Sequence, residues 1–335
     1  MKETLILAIE SSCDETSAAV IQNGNTILSN IVASQIKSHM RFGGVVPEIA
    51  SRHHVEQITQ VIDEALAKAG KTLDDMDAIA VTYGPGLVGA LLIGISAAKA
   101  LALASGKPLI AVNHMAGHIY ANQLVEPLQF PLMALVVSGG HTELVYMPED
   151  GEFQIIGETR DDAAGEAFDK VARAVGLGYP GGPKLEKMAK EGNPEAFHFP
   201  TAKMEDSPYD FSFSGVKSAV LNEMNRKKML SEEVHVADLC ASFQENVTAV
   251  LSEKAIALCK ELHINRLSIA GGVAANGKLR EKMEEKAKQE GIEFFCPKLI
   301  LCTDNAAMIA MCGHYKYLDG EFCPLGKPAF SRTVL

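Results

Sequence analysis

Apolar and polar positions follow one pattern twice along this chain of 335 residues. Leu132–Val145 is a near-continuous apolar run broken at Ser138-Gly139-Gly140, after which Thr142 opens a second run at Leu144–Tyr146. Runs of this length suit buried strands, and the glycines suit the turn between them. Leu5–Ile21 repeats the plan, with a small polar turn at Ser11-Ser12 and Thr16 ahead of the second run. Asn23-Gly24 marks another turn, and Thr26–Ser34 reads as a third strand. Each half later carries a strand, a glycine pair and a helix: Ala78–Tyr83 before Gly84-Pro85-Gly86, and Arg266–Ala270 before Gly271-Gly272. Two copies of one supersecondary plan predict two similar lobes with a ligand between them.

Helical spacing marks most of the remainder. Pro47 suits a first helical turn, and Ile49, Val55, Ile58, Ile62 and Leu66 carry the pattern to about Ala69. Arg52, His53 and His54 are expected on the solvated face of that helix. Leu87–Ala98 reads as a buried helix of about twelve residues, too short to span a bilayer. Further helices are expected over His114–Leu124, over Asp161–Val175, after Tyr179–Pro183, over Asp238–Leu262, and from Asn276 and Asp304 onward. Pro200–Lys217 reads as an accessible loop, and the tail from Gly320 as a surface segment.

Composition narrows the classes. Trp is absent and aromatics make up 6%, against a surface that stacks single-stranded bases. A net charge of −11 argues against a stand-alone nucleic-acid binder, but not against a local basic strip or a partner that supplies one. Seven cysteines with no C-x-x-C pair suggest a reduced intracellular protein. Glu10 interrupts the first apolar run too early for a signal peptide, so the expected location is the cytoplasm, with no membrane.

Several residues could carry chemistry. The turn at Ser138-Gly139-Gly140 is either an ordinary hairpin turn or a nest of inward N–H groups for a phosphate. Valine at Gly139 or Gly271 is expected to weaken ligand binding with the fold intact. Asp14 and Glu15 sit in a turn that would face the ligand. Gly84–Gly89 matches G-x-G-x-x-G, but the next strand ends in Asn113 where a dinucleotide fold places an acidic residue. Gly70-Lys71-Thr72 fails as a phosphate loop because Ala65 replaces its first glycine. His114 and His118 are four residues apart, on one helical face and within reach of one metal ion. Met115 stands where a zinc protease of the H-E-x-x-H type keeps its general base. Asp304 is either a helix cap or the carboxylate that completes a 2-His-1-carboxylate site. Asp169 and Glu186, near glycine turns, could hold a ribose diol or face solvent.

ESSCDET (Glu10–Thr16), GGVVPEIASR (Gly43–Arg52), GPGLVGALL (Gly84–Leu92), HMAGH (His114–His118), LVVSGGHTELV (Leu135–Val145), DDAAGEAFDK (Asp161–Lys170), YPGGP (Tyr179–Pro183), DFSFSG (Asp210–Gly215), AGGVAAN (Ala270–Asn276) and CTDNAAM (Cys302–Met308) together resemble the TsaD family, also called Gcp or YgjD. The resemblance covers nearly the whole chain. It implies an α/β, duplicated two-lobed fold of the actin, sugar-kinase and Hsp70-like ATPase kind, with the active site in the interlobe cleft. The expected lobes are 1–130 plus 305–335, and 131–304. The implied activity is transfer of threonylcarbamoyl from threonylcarbamoyl-adenylate to the exocyclic amine of the adenosine 3′ of the anticodon, in tRNAs reading codons that begin with A, releasing AMP. By position, His114, His118 and Asp304 match the family's metal ligands, for one divalent ion per subunit, iron ahead of zinc. Val136, Val137, Ser138, Gly139, Gly140, Asp169, Gly182, Glu186 and Asn276 match its substrate-binding positions, and Asp14 and Glu15 its catalytic acids. TsaB and TsaE are the implied protein partners. The rival readings are a metal-dependent small-molecule carbamoyltransferase, or a sugar or acetate kinase of the same fold.

Overall fold

Strands built from the two apolar hairpins lie at the centre of each half of the computed structural model, which describes residues 3–202, 204–332 and 335. Lys203, within the expected loop Pro200–Lys217, lies outside the described residues. The first half comprises β1 (Leu5–Glu10), β2 (Glu15–Gln22), β3 (Thr26–Ser34), α1 (Ile36–His39), α2 (Pro47–Ala69), β4 (Ala78–Gly84), α3 (Val88–Ser105), β5 (Leu109–Asn113) and α4 (His114–Tyr120). The second comprises β6 (Leu132–Val137), β7 (Thr142–Met147), β8 (Gln154–Glu158), α5 (Ala164–Ala174), α6 (Gly181–Ala189), α7 (Ser214–Met229), α8 (Val236–Glu261), β9 (Arg266–Ala270), α9 (Gly277–Glu290) and β10 (Glu293–Phe295). Helix α10 (Ala306–Leu318) follows.

The duplication is visible in the pairing. One sheet has the order β3-β2-β1-β4-β5 and the other β10-β9-β6-β7-β8, which is the same plan read from the opposite edge. In each, the opening hairpin is antiparallel and its first strand pairs in parallel with the later one, β1 with β4 and β6 with β9. The central strands β1, β4 and β6 are buried along their whole length, as a strand covered on both faces must be.

The chain divides into two compact units, Met1–Leu128 with Pro297–Leu335, and Gln129–Cys296. The divisions fall after 128 and 296, whereas the sequence suggested 130 and 304. Segment 297–304, with Asp304, therefore groups with the first unit, where α10 packs on β1, β2, β4 and β5.

Helix α3 runs 18 residues, longer than expected, and its length and composition alone would suffice to cross a membrane. Ala90, Leu91, Gly94, Ile95, Ala98 and Ala102 form its buried face, while Val88, Leu92 and Leu103 are exposed. Gly94 permits close approach to the turn after β1, since a Cβ there would lie 2.3 Å from Ser11 Oγ.

His54 is not on a solvated face. It is fully buried, with Nε2 2.9 Å from the Cys13 carbonyl and Nδ1 2.7 Å from Thr16 Oγ1. A carbonyl only accepts, so Nε2 carries the proton and Nδ1 accepts from the Thr16 hydroxyl. The neutral ring thus clamps the turn that carries Asp14 and Glu15. Burial lowers its pKa below the ordinary 6.5, outweighing the Cys13 carbonyl. The unfolded chain therefore binds this proton more readily, and His54 costs stability as pH falls below about 6.5. Replacing His54 with Asn should flatten the pH dependence of urea unfolding just below that pH, by up to about 1.4 kcal/mol per pH unit. Parallel profiles for the two proteins would show that His54 does not titrate on unfolding.

Candidate functional site

In the first unit, four segments converge at the carboxyl ends of the parallel strands. Strand β5 ends in Asn113, whose Oδ1 accepts from the amides of Met115 at 2.8 Å and Ala116 at 3.3 Å. The residue that disqualified a dinucleotide fold is the cap that starts α4. On that helix His114 Nε2 lies 3.4 Å and His118 Nε2 3.2 Å from Asp304 Oδ1. The ligand atoms of these three residues fall within 4.8 Å of one another.

Asp304 is free of capping. Asn305 caps α10, its Oδ1 accepting from Met308 N, while Ala306 N donates to Ser17 Oγ and Ala307 N to Asn30 Oδ1. Three first-turn amides that a helix leaves unpaired are thereby satisfied without Asp304.

The donor set fits a metal. Both ring nitrogens of His118 are buried without a well-aligned hydrogen bond among the described residues, an expensive arrangement for an imidazole that serves no ligand. Electrostatics agree. Burial opposes a charge on His114, yet Asp304 and Glu10 hold its pKa well above the ordinary value. Burial likewise pushes Asp304 up, but His114 and His118 outweigh it and keep the carboxyl ionised. Burial keeps His118 neutral.

Sequence reasoning treated Glu10 only as an interruption of an apolar run. It is wholly buried at the end of β1, with Oε2 3.0 Å from His114 Nδ1. A charge inside an otherwise apolar strand was the available signal. Asp14 is buried in the following turn. Glu15 accepts from Ser34 Oγ at 3.0 Å, and burial, with Asp14 and Asp304 adding to it, pushes its pKa to about 9. Burial also raises the Cys13 thiol, which leaves it an inert neighbour. The G-x-G-x-x-G match serves packing: a Cβ on Gly86 would lie 2.6 Å from the Ser12 carbonyl, and one on Gly89 2.4 Å from Ser51 Oγ.

In the second unit, Val136 and Val137 end β6, and Ser138, Gly139 and Gly140 form the turn to β7. The turn is not an open nest. Ser138 Oγ accepts from Gly140 N at 3.3 Å and His141 N at 3.1 Å, and Ser138 N donates to the His141 carbonyl at 2.8 Å, so two of the three turn amides, those of Ser138 and Gly140, are already engaged. Space is open above the glycines: a Cβ on Gly139, Gly140 or Gly182 would meet no heavy atom within 4 Å among the described residues. Asp169 Oδ1 accepts from Gly181 N at 2.7 Å and fixes the turn that starts α6. Glu186 Oε1 accepts from Gly277 N at 3.0 Å. Asn276 caps α9 through Leu279 N and donates to Gln244 Oε1 at 2.8 Å. Glu186, Lys190, Gln244, Gly277 and Lys278 line a cavity of about 300 Å³. Asp169 thus ties α5 to the start of α6, Glu186 ties α6 to the start of α9, and Asn276 ties that start to α8, in the segments that follow β6 and β9, where open α/β sheets take ligands.

Residues 26–311 match the profile of TsaD, tRNA N6-adenosine threonylcarbamoyltransferase. The chain belongs to the TsaD family. A relative from Clostridium botulinum (strain 657 / Type Ba4) bearing the name tRNA N6-adenosine threonylcarbamoyltransferase is 61% identical over 323 residues, 96% of this chain and 95% of the relative. One of the same name from Staphylococcus aureus (strain JH9) is 58% identical over 334 residues, 100% of this chain and 98% of its own. Among solved structures, full-length HypF in its phosphate- and nucleotide-bound form superposes with a TM-score of 0.63 at 16% identity, covering 96% of this chain and 47% of HypF. That likeness establishes the fold, the duplicated α/β plan of the actin, sugar-kinase and Hsp70-like ATPases. The TsaD-family chain is accordingly a transferase.

The two glycines expected to behave alike do not. Gly271 has φ 89, and a Cβ there would lie 2.4 Å from the Val137 carbonyl. Gly271→Val should therefore cost at least about 2 kcal/mol in urea unfolding, correcting the expectation of an intact fold. Gly139→Val should stay within about 0.5 kcal/mol of the native protein. Equal stabilities for the two variants would contradict this geometry.

Proposed function

We propose that the protein moves the threonylcarbamoyl group of threonylcarbamoyl-adenylate onto the exocyclic amine of the adenosine 3′ of the anticodon, in tRNAs reading codons that begin with A. The meeting of His114, His118 and Asp304 in a chain about 60% identical to transferases of that name supports the reading best. The relatives do not favour a small-molecule carbamoyltransferase or a kinase.

In this reading the three side chains hold one divalent ion per subunit. Iron is preferred to zinc, because a 2-His-1-carboxylate set with open positions suits Fe²⁺. When bound, the ion supplies a Lewis acid for a carbonyl or phosphoryl oxygen. Val136–Gly140, Asp169, Gly182, Glu186 and Asn276 hold the adenylate, the open space over Gly139 and Gly140 leaving room for it. The amine nitrogen bonds to the carbamoyl carbon, the bond from that carbon to the phosphate oxygen breaks, and AMP leaves. The amine gives up one proton, which Asp14 takes. Glu15, neutral at pH 7 because its pKa stands at about 9, donates a hydrogen bond instead of a second negative charge.

The net charge of −11 opposes docking of tRNA to this chain alone. TsaB and TsaE are the proposed partners, and the cytoplasm, where tRNA is found, the proposed location. Purified protein should transfer poorly until they are added; robust turnover by the chain alone would remove the need for partners.

Depleting the protein should remove threonylcarbamoyladenosine from total tRNA, read by mass analysis of nucleosides; an unchanged level would reject the proposal. Asp304→Asn should lose bound metal and transfer activity. Because Asn305 is the cap, its stability should change by less than about 1 kcal/mol beyond the lost metal linkage. A variant with full metal content by elemental analysis and full activity would take Asp304 out of the site.

A further inference from the structure

We propose that Glu10 is the positioning residue of this metal site: its carboxylate fixes the ring of His114 with Nε2 toward the ion and supplies the second negative charge that balances a dication. The inference rests on the metal reading above and adds a residue outside the ligand set.

Glu10 is wholly buried, yet three donors converge on it. Ser12 N donates to Oε1, Thr82 Oγ1 donates to Oε2, and His114 Nδ1 lies 3.0 Å from Oε2. The contacts come from its own turn, from β4 and from α4, so the carboxylate is held by three separate pieces of backbone. A carboxylate accepts and cannot donate, so the hydrogen between Glu10 and the ring belongs to Nδ1. The lone pair of a neutral His114 is then on Nε2, the nitrogen 3.4 Å from Asp304 Oδ1. Ser12 Oγ, 3.2 Å from the same Nδ1, can accept from it without changing that assignment.

Charge gives a second reason for the carboxylate. Asp304 and Glu10 together carry two negative charges, and one divalent ion cancels both. A carboxylate behind a ligating imidazole also makes the ring a stronger donor. His118 shows no such support, since its Nδ1 is buried with no hydrogen-bond partner among the described residues. The two histidines are therefore unequal, and the support for ion binding runs through His114.

Metal-free full-length protein should be titrated with Co²⁺ and Zn²⁺ against a chromophoric chelator, beside Glu10→Gln and Asp304→Asn. The native chain should take one ion. Glu10→Gln should bind 10- to 100-fold more weakly and shift the visible absorption of bound Co²⁺, the range usual for loss of a carboxylate behind a ligand. Asp304→Asn should lose the ion. If the native chain and Asp304→Asn bind alike, the metal reading itself fails and this inference with it. If Asp304→Asn loses the ion while Glu10→Gln keeps native affinity and spectrum, the metal reading stands and the role of Glu10 is overturned. Should Glu10→Gln not fold, ¹⁵N resonances of the His114 ring in the zinc-loaded native protein decide the matter. A proton on Nδ1 with zinc on Nε2 supports the proposal, and the reverse overturns it.

Discussion

A carboxylate buried at the end of a buried strand has to be met by positive charge. Strand β1 is apolar until Glu10, and an unpaired ion there would cost several kcal/mol. The first unit answers with the imidazole of His114, which in turn faces Asp304. Once two carboxylates share one imidazole, the ring is held charged in the absence of any other cation. The same arrangement places excess negative charge around a gap that a dication can fill. Glu15, nearby, has its pKa raised chiefly by burial, and the neighbouring charges of Asp14 and Asp304 add to the rise.

The second unit uses the same topology without the charge. The turn after its first strand is Ser138-Gly139-Gly140, at the place where the first unit has Ser11 and Ser12 after Glu10. Its parallel neighbour β9 is followed by Gly271, tucked against the Val137 carbonyl, where the first unit has Thr82 donating to Glu10. One copy of the plan became a site of side-chain charge, and the other a site of backbone turns and open space. A duplicated scaffold permits this because strand pairing fixes where the ends lie, while the turn residues remain free to vary.

Elements with strong periodicity were legible in the chain. Thr26–Ser34 and Pro47–Ala69 were readable because a Asn-Gly turn and a first-turn proline punctuate them. Strand β8 was not, since QIIGE is short and polar at both ends, and only its pairing with β7 makes it a strand. His54 was misplaced because spacing arguments count apolar residues and pass over a neutral histidine whose nitrogens are both satisfied inside. The choice at Ser138-Gly139-Gly140 between a hairpin turn and a nest stayed open in the sequence for a related reason: the Ser138 hydroxyl competes for the amides of Gly140 and His141, and no pattern of residue types announces that. The His114–His118 pair needed only helical spacing. Bringing Asp304 to it required the whole of the first unit to fold.

The ambiguity over Asp304 resolves at its neighbour. Asp and Asn cap helices about equally well, so Asp304-Asn305 offers two candidate caps for one helix start. The amide of Met308 goes to Asn305, and those of Ala306 and Ala307 go to the first sheet. A neutral cap suffices to start the helix, which leaves the charged side chain outside the hydrogen-bond ladder and available to the histidines. Anchoring α10 by Ser17 and Asn30 fixes the backbone two and three residues beyond Asp304. Asp304 can thus be precise in position without spending its oxygens on the helix start, which is what the proposed ligand role asks of it.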